Sequence, residues 1–272
     1  MLANEYGSGN KTIILIHGGP SLFGYMKSLD ELLENQYKII DYAQRGTFES
    51  PANQKVTMAS HITDLANLIS KHSKKEKVIL IGHSWGANLA LLATSEHPEK
   101  IEKIILLSTA ALNQQISDWH SDTLNARYNR ATKEKLALIG KELTKELTVE
   151  NRNSLMQQRL ALTSPFYHLN PKTEELIPAT KWNFTTFLES INSIWDIIDA
   201  GEIPGILKAI KIPVIAFHGD SDPIPCKETF AFLRKNIDDI ETHEIEQSGH
   251  FPWLEPTSRD DFLKALKLKL EK

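Results

Sequence analysis

The sequence predicts an α/β fold: a mostly parallel sheet flanked by helices, with a block of helices inserted before the last strands. Three observations predict it. Short β-rich runs alternate with helix-period segments through residues 1–110. That rhythm stops after Thr109 and gives way to polar, helix-prone sequence. It then resumes near the end of the chain with two more β-rich runs and a closing amphipathic helix. Strand–helix alternation of this kind implies βαβ units and a parallel sheet, because parallel neighbours need a crossover connection.

Taken in order, TIILI (12–16) reads as the first buried strand, YKIIDY (37–42) as the second, KVILI (77–81) as the third and IEKIILL (101–107) as the fourth. The intervening SLDELLEN, MASHITDLANLISKHS and WGANLALLATSEH space their apolar residues at helical period. The lysine-rich residues 71–77 read as a solvated helix end and turn. Residues 111–201 contain no convincing buried strand, only pieces such as TKEKLALIGKELTKELTVENRNSLMQQRLAL and WNFTTFLESINSIWDII. Strands follow at PVIAF (213–217) and at 241–245, and SRDDFLKALKLKLEK closes the chain as a helix. The expected organisation is a core domain of residues 1–110 and 202–272 with a helical insertion at 111–201.

Length and composition narrow the function classes. A chain of 272 residues, 41% hydrophobic, is large enough to bury a substantial core. The 31 basic and 35 acidic residues leave a net charge of −4, so no basic excess points to nucleic acid. Cys226 is the sole cysteine, which excludes an internal disulfide and a cysteine zinc cluster. No apolar run reaches the ~20 residues of a membrane span, and MLANEYGSGNK lacks the features of a signal peptide. The expectation is a cytoplasmic protein without a membrane or nucleic-acid partner.

The chemistry-bearing stretch is GHSWG, residues 82–86. A serine flanked by glycines two positions before and after, between a strand and a helix, is the nucleophile elbow. The strained turn crowds the neighbours of the serine, and glycine at both places relieves the clash. An attacked carbonyl becomes an oxyanion that needs preorganised donors. The Trp85 amide at the helix start is one, and the Gly19 amide in His17-Gly18-Gly19-Pro20, after the first strand, is the other. Serine also needs a base, usually a histidine held by a carboxylate. In this architecture the acid follows a late strand and the histidine follows the last one. His250, in Gln247-Ser248-Gly249-His250, has that position. Asp220 and Asp222 both follow PVIAF and have the same strand parity, so alternation leaves both open as the acid. No pair of histidines has metalloprotease spacing, and neither a metal nor a cofactor is expected.

Taken together, HGGP, GHSWG, GDSDPIP and SGHFPW resemble the α/β-hydrolase superfamily over nearly the whole chain outside the insertion. The resemblance implies the α/β-hydrolase fold, with the insertion as a helical cap over the pocket. It also implies Asp222 as the acid, since Gly219 and Pro225 flank it at the family's usual distances. Within the superfamily, HGGP, Gln44-Arg45-Gly46 with Ser50, and Ser84-Trp85-Gly86 are similar to prolyl iminopeptidases. Ser21, Ala43 and Phe48 stand where those enzymes usually carry Gly, Asp and Gly. The short N-terminus implies that the family's first antiparallel strand is missing. Epoxide hydrolases and haloalkane dehalogenases share the fold but use aspartate as nucleophile, and Ser84 excludes that chemistry.

The resulting expectation is a cofactor-free serine hydrolase for a small ester or amide, with catalytic Ser84, His250 and Asp222 and an oxyanion hole at Gly19 and Trp85. Aminopeptidase activity toward N-terminal proline, acyl transfer or cofactor-free peroxidation on the same residues, and a non-catalytic ligand receptor stand as alternatives. Tyr167, His168 and Trp182 are candidate pocket residues, and Phe184, Phe187 and Trp195 are read as core or pocket wall. Arg45 is read as a structural loop anchor and Cys226 as a small buried side chain. Glu174, Glu175 and Glu189 are read as solvated rather than as ammonium ligands.

Overall fold

The computed structural model describes residues 1–47, 49–170 and 183–271. Phe48, Glu174, Glu175 and Trp182 therefore lie outside the described residues. The strands are β1 (Ala3–Tyr6), β2 (Thr12–Ile16), β3 (Lys38–Tyr42), β4 (Val78–His83), β5 (Ile101–Leu107), β6 (Val214–Gly219) and β7 (Ile240–Ile245). They form one sheet in the order β1-β3-β2-β4-β5-β6-β7. All its pairings are parallel except that of β1 with β3. Contrary to the expectation from the short N-terminus, an antiparallel strand is present. Its residues pair with β3 from Ala3 opposite Tyr42 to Tyr6 opposite Ile39. Half-exposed and only four residues long, it lacks the buried apolar run that marked the other strands.

The helices are α1 (Lys27–Leu33), α2 (Met58–His72), α3 (Trp85–Ala93), α4 (Gln114–Arg127), α5 (Arg130–Leu143), α6 (Val149–Thr163), α7 (Phe184–Asp199), α8 (Ile203–Lys208), α9 (Cys226–Asn236) and α10 (Arg259–Glu271). Both faces of the sheet are covered, which is why β2, β4 and β5 read as continuous apolar runs rather than alternating ones. Ile14, Leu80 and Leu106 meet α2, α3, α8 and α9 on one face, through Leu65, Leu89, Leu207 and Leu233. Ile13, Ile79 and Ile105 meet α1 and α10 on the other, through Leu29, Leu33, Phe262 and Leu266. In α2, Thr57 and Ser60 form a reciprocal capping box that fixes the helix start.

The chain runs from β2 outward to β3, then returns to place β4 on the opposite side of β2. This reversal is a topological switch point, and in parallel sheets ligands bind beyond the carboxyl ends of the strands there. The two loops that leave β2 and β4 at this point are HGGP and GHSWG. α4 to α7 lie between β5 and β6 in the chain. α7 docks on the Gln44-Arg45-Gly46 loop, where Asn183 Nδ2 donates to the Gly46 carbonyl at 2.9 Å and Thr186 Oγ1 at 3.2 Å. No described helix is long and apolar enough to cross a membrane.

Candidate active site

Ser84 sits between β4 and α3 with φ 54° and ψ −122°. Positive φ is uncommon for a residue with a Cβ, and a strained backbone held at a loop tip is characteristic of functional sites. The two glycines have separate steric reasons. A Cβ on Gly82 would run into the carbonyl of Gly86, and a Cβ on Gly86 would run into the carbonyl of Ile16 on β2. The elbow is held by the Ser84 amide donating to the Leu107 carbonyl at 2.9 Å. Trp85 is the first residue of α3, where a backbone N–H has no acceptor within its own helix. Gly19, at φ 115°, takes a conformation that a side chain would resist.

Ser84, His250, Gly19 and Trp85 all line one cavity of about 330 Å³ between the sheet's carboxyl end and α4, α6 and α7. His250 comes from the loop after β7 and Asp222 from the loop after β6. The imidazole Nδ1–H donates to Asp222 Oδ2 at 2.7 Å. The other carboxylate oxygen accepts the Ile224 amide at 2.8 Å, and His218 Nε2 lies 3.1 Å from Oδ2. Burial alone raises the Asp222 carboxyl. The opposing charges and hydrogen bonds of His250 and His218 overcome it and hold the carboxyl well below the usual carboxylate range. Asp220 plays a different part. Its carboxylate accepts the Gln247 and Ser248 amides at 3.0 and 3.2 Å and so shapes the histidine loop from below.

Other sequence candidates separate. Tyr167 lines the cavity and its ring lies 5.2 Å from that of His250, while its carbonyl accepts the His250 amide at 2.7 Å. His168 does not line the cavity. Its buried ring stacks on Phe251 at 5.0 Å and its Nδ1 lies 3.4 Å from Glu255 Oε1, so packing turns it away from Ser84. Phe187 and Trp195 are cavity walls. Arg45 makes a two-pronged pair with Asp64 on α2, both contacts 2.6 Å. The Glu189 carboxylate accepts the Val56 amide at 2.8 Å and does not line the cavity. Cys226 is buried, and burial pushes its thiol up to about 12.

Sequence reasoning missed a buried relay beneath the site. The Gly18 amide donates to the Tyr25 hydroxyl at 2.6 Å, and that hydroxyl lies 2.6 Å from His83 Nδ1. His83 Nε2 lies 2.9 Å from the His250 carbonyl, which can only accept. That carbonyl fixes the proton on Nε2, and in the neutral ring Nδ1 then accepts from the Tyr25 hydroxyl. Burial first, and then the charge of His250, pushes His83 well below its ordinary value, which agrees with that tautomer. The relay ties together the glycine loop, the elbow and the histidine loop. His83 was visible only as the variable position of GHSWG, and Tyr25 carried no signal at all. His120 is a second omission: its Nε2 lies 3.0 Å from the Tyr167 hydroxyl on the cavity wall.

The chain matches the alpha/beta hydrolase fold family over residues 11–257 and belongs to it. A proline iminopeptidase of Lactobacillus acidophilus is 30% identical over 97% of this chain and 91% of its own length. A cis-3-alkyl-4-alkyloxetan-2-one decarboxylase of Shewanella oneidensis is 27% identical over 37% of this chain, which spans only 33% of that relative's length. Among solved structures, an esterase of Exiguobacterium antarcticum superposes with a TM-score of 0.68 at 20% identity, covering 99% of this chain and 95% of that one. At that identity the likeness is one of fold alone.

Proposed function

We propose that this chain is a cofactor-independent serine hydrolase that cleaves a small carboxylic ester or amide, with esters preferred. The observation that carries the reading is the strained Ser84 sharing a cavity with His250, whose Nδ1 is held by buried Asp222 at 2.7 Å. Ser84 Oγ attacks the carbonyl carbon while His250 Nε2 takes its proton. The oxyanion accepts the Gly19 and Trp85 amides. Collapse of the tetrahedral intermediate expels the alcohol or amine, which receives the proton from His250. Water, deprotonated by the same imidazole, attacks the acyl-enzyme; its collapse frees the carboxylic acid and returns the proton to Ser84. Asp222 keeps Nδ1 protonated and stabilises the imidazolium. Residues 111–201 act as the cap that walls the cavity and sets selectivity.

The aminopeptidase reading has one observation in its favour, the long match to the Lactobacillus acidophilus enzyme. Against it stands the composition of the pocket. An aminopeptidase must hold a free ammonium near the scissile bond, and a buried charge needs carboxylate partners. Among the described residues, no carboxylate lines the cavity. Comparing p-nitrophenyl butyrate with prolyl-β-naphthylamide tests the choice. The ester should have the higher kcat/KM, and the reverse order would make the peptidase reading the better one.

A further inference from the structure

One permanently charged side chain lines the cavity among the described residues: Arg159 of α6. Its place there follows from helix geometry. Met156, Leu160 and Thr163 are cavity walls, and at 3.6 residues per turn position 159 falls on the same face. The residues one turn away, Leu155, Met156, Leu162 and Thr163, carry no carboxylate, so α6 itself does not neutralise the guanidinium. The Arg159 guanidinium makes no ion pair or hydrogen bond to another described residue. Its neighbours in the same helical region are engaged: Arg127 with the Phe166 and Ser221 carbonyls, Arg130 with Glu134, and Arg152 over the Phe184 ring. Burial raises the hydroxyls of Tyr128 and Tyr167, two other cavity walls, and the nearby positive charge of Arg159 opposes that rise. The lining of the cavity that Arg159 shares with Ser84 is largely apolar and includes Met156, Leu160, Ile191 and Ile194.

We propose that Arg159 is a specificity determinant, and that the preferred substrates are esters whose acyl group is a short apolar chain ending in a carboxylate. The chain lies on the apolar walls, the scissile carbonyl meets Ser84, and the distal carboxylate pairs with the guanidinium, whose planar fork suits it. This rests on the hydrolase reading above and adds the substrate class to it.

The test uses two matched substrates, mono-p-nitrophenyl adipate and its methyl ester, which differ only in the distal charge. Wild type should favour the anionic ester by about three- to fivefold in kcat/KM, the worth of one solvent-exposed charged pair. Arg159→Gln should abolish that preference while leaving the neutral ester within about twofold, Arg159→Lys should retain part of it, and raised salt should erode it. An unchanged ratio in Arg159→Gln, or an equal loss on both esters, would overturn the assignment. Binding of monomethyl adipate to the Ser84→Ala variant gives a readout independent of turnover. Tight binding lost on adding Arg159→Gln upholds the subsite even where neither ester is hydrolysed, an outcome that would instead defeat the hydrolase reading. Indifference of that binding to Arg159 contradicts the proposal.

Discussion

At the scale of single residues, Asp220 and Asp222 are two positions apart and do different things. Asp222 is bonded to the His250 ring, and Asp220 to the backbone of the loop that carries it. Asp222→Asn should therefore lower kcat by about 10³-fold or more through the wrong imidazole tautomer. Asp220→Asn should act mainly on loop stability. Steady-state kinetics of both variants beside their urea midpoints separates the two roles, and a reversed order would move the acid to Asp220. Tyr25→Phe removes the hydroxyl from the relay and leaves the Gly18 amide and His83 Nδ1 unpaired in a dry site. It should cost about 1–3 kcal/mol of stability and lower kcat more than it raises KM, since both loops it ties flank Ser84. Ser84 and His250 stood out in the sequence because each follows a strand at a position the architecture prescribes, whereas Asp222 was separated from Asp220 only by the family resemblance. Tyr25 and His83 were not legible, since their roles depend on three loops converging at distances no spacing encodes.

At the scale of elements, the elbow and the packed helices respond oppositely to the same change. Gly86→Ala drives a methyl into the Ile16 carbonyl and pushes α3 off β2. It should destabilise by about 1–3 kcal/mol or prevent folding. Gly140 in α5 has open space where its Cβ would stand, so Gly140→Ala should stabilise by about 0.5–1 kcal/mol through helix propensity. Thermal melts of both variants check the contrast. The buried parallel strands and the amphipathic α2 and α10 were readable from periodicity. β1 escaped because its burial pattern is mixed and its stability comes from pairing with β3, not from its own residues. The docking of α7 on the Gly46 loop escaped for a related reason: it depends on Asn183 and Thr186 reaching a backbone carbonyl far away in sequence.

At the scale of the whole molecule, buried titratable groups set a stability window. Burial pushes His17 and His120 down to about 4 and His61 to about 3. A base with a lowered folded pKa contributes stability that is complete above its unfolded value of 6.5 and is lost as pH falls toward the folded one. These three imidazoles should thus lower the unfolding free energy at pH 5 relative to pH 7, a fall that Asp30 opposes over the same window and that Asp30→Asn should therefore steepen. The alkaline side has the opposite cause. Burial, and then the charge of Asp41, pushes Asp30 up to about 9, and both carboxyls are buried on the sheet face under α1. An acid with a raised folded pKa contributes stability that is full below its unfolded value of 3.8 and is lost progressively as pH rises from there through the folded one. Urea midpoints should decline from pH 7 to 9, and Asp30→Asn, which has no proton to lose, should flatten that decline. An equally steep decline in the variant would mean that Asp30 is not its cause. These charges were present in the sequence, but their burial was not legible, because Asp30 reads as an ordinary helix-surface residue in SLDELLEN.

The central claim, that Ser84 is an activated nucleophile, is tested most directly by a fluorophosphonate. The reagent should add once to the folded protein, at Ser84 by peptide mapping, and the rate should fall by about 10³-fold in His250→Gln at unchanged fold. Absence of an adduct on Ser84, or labelling equally fast without the histidine, would contradict it.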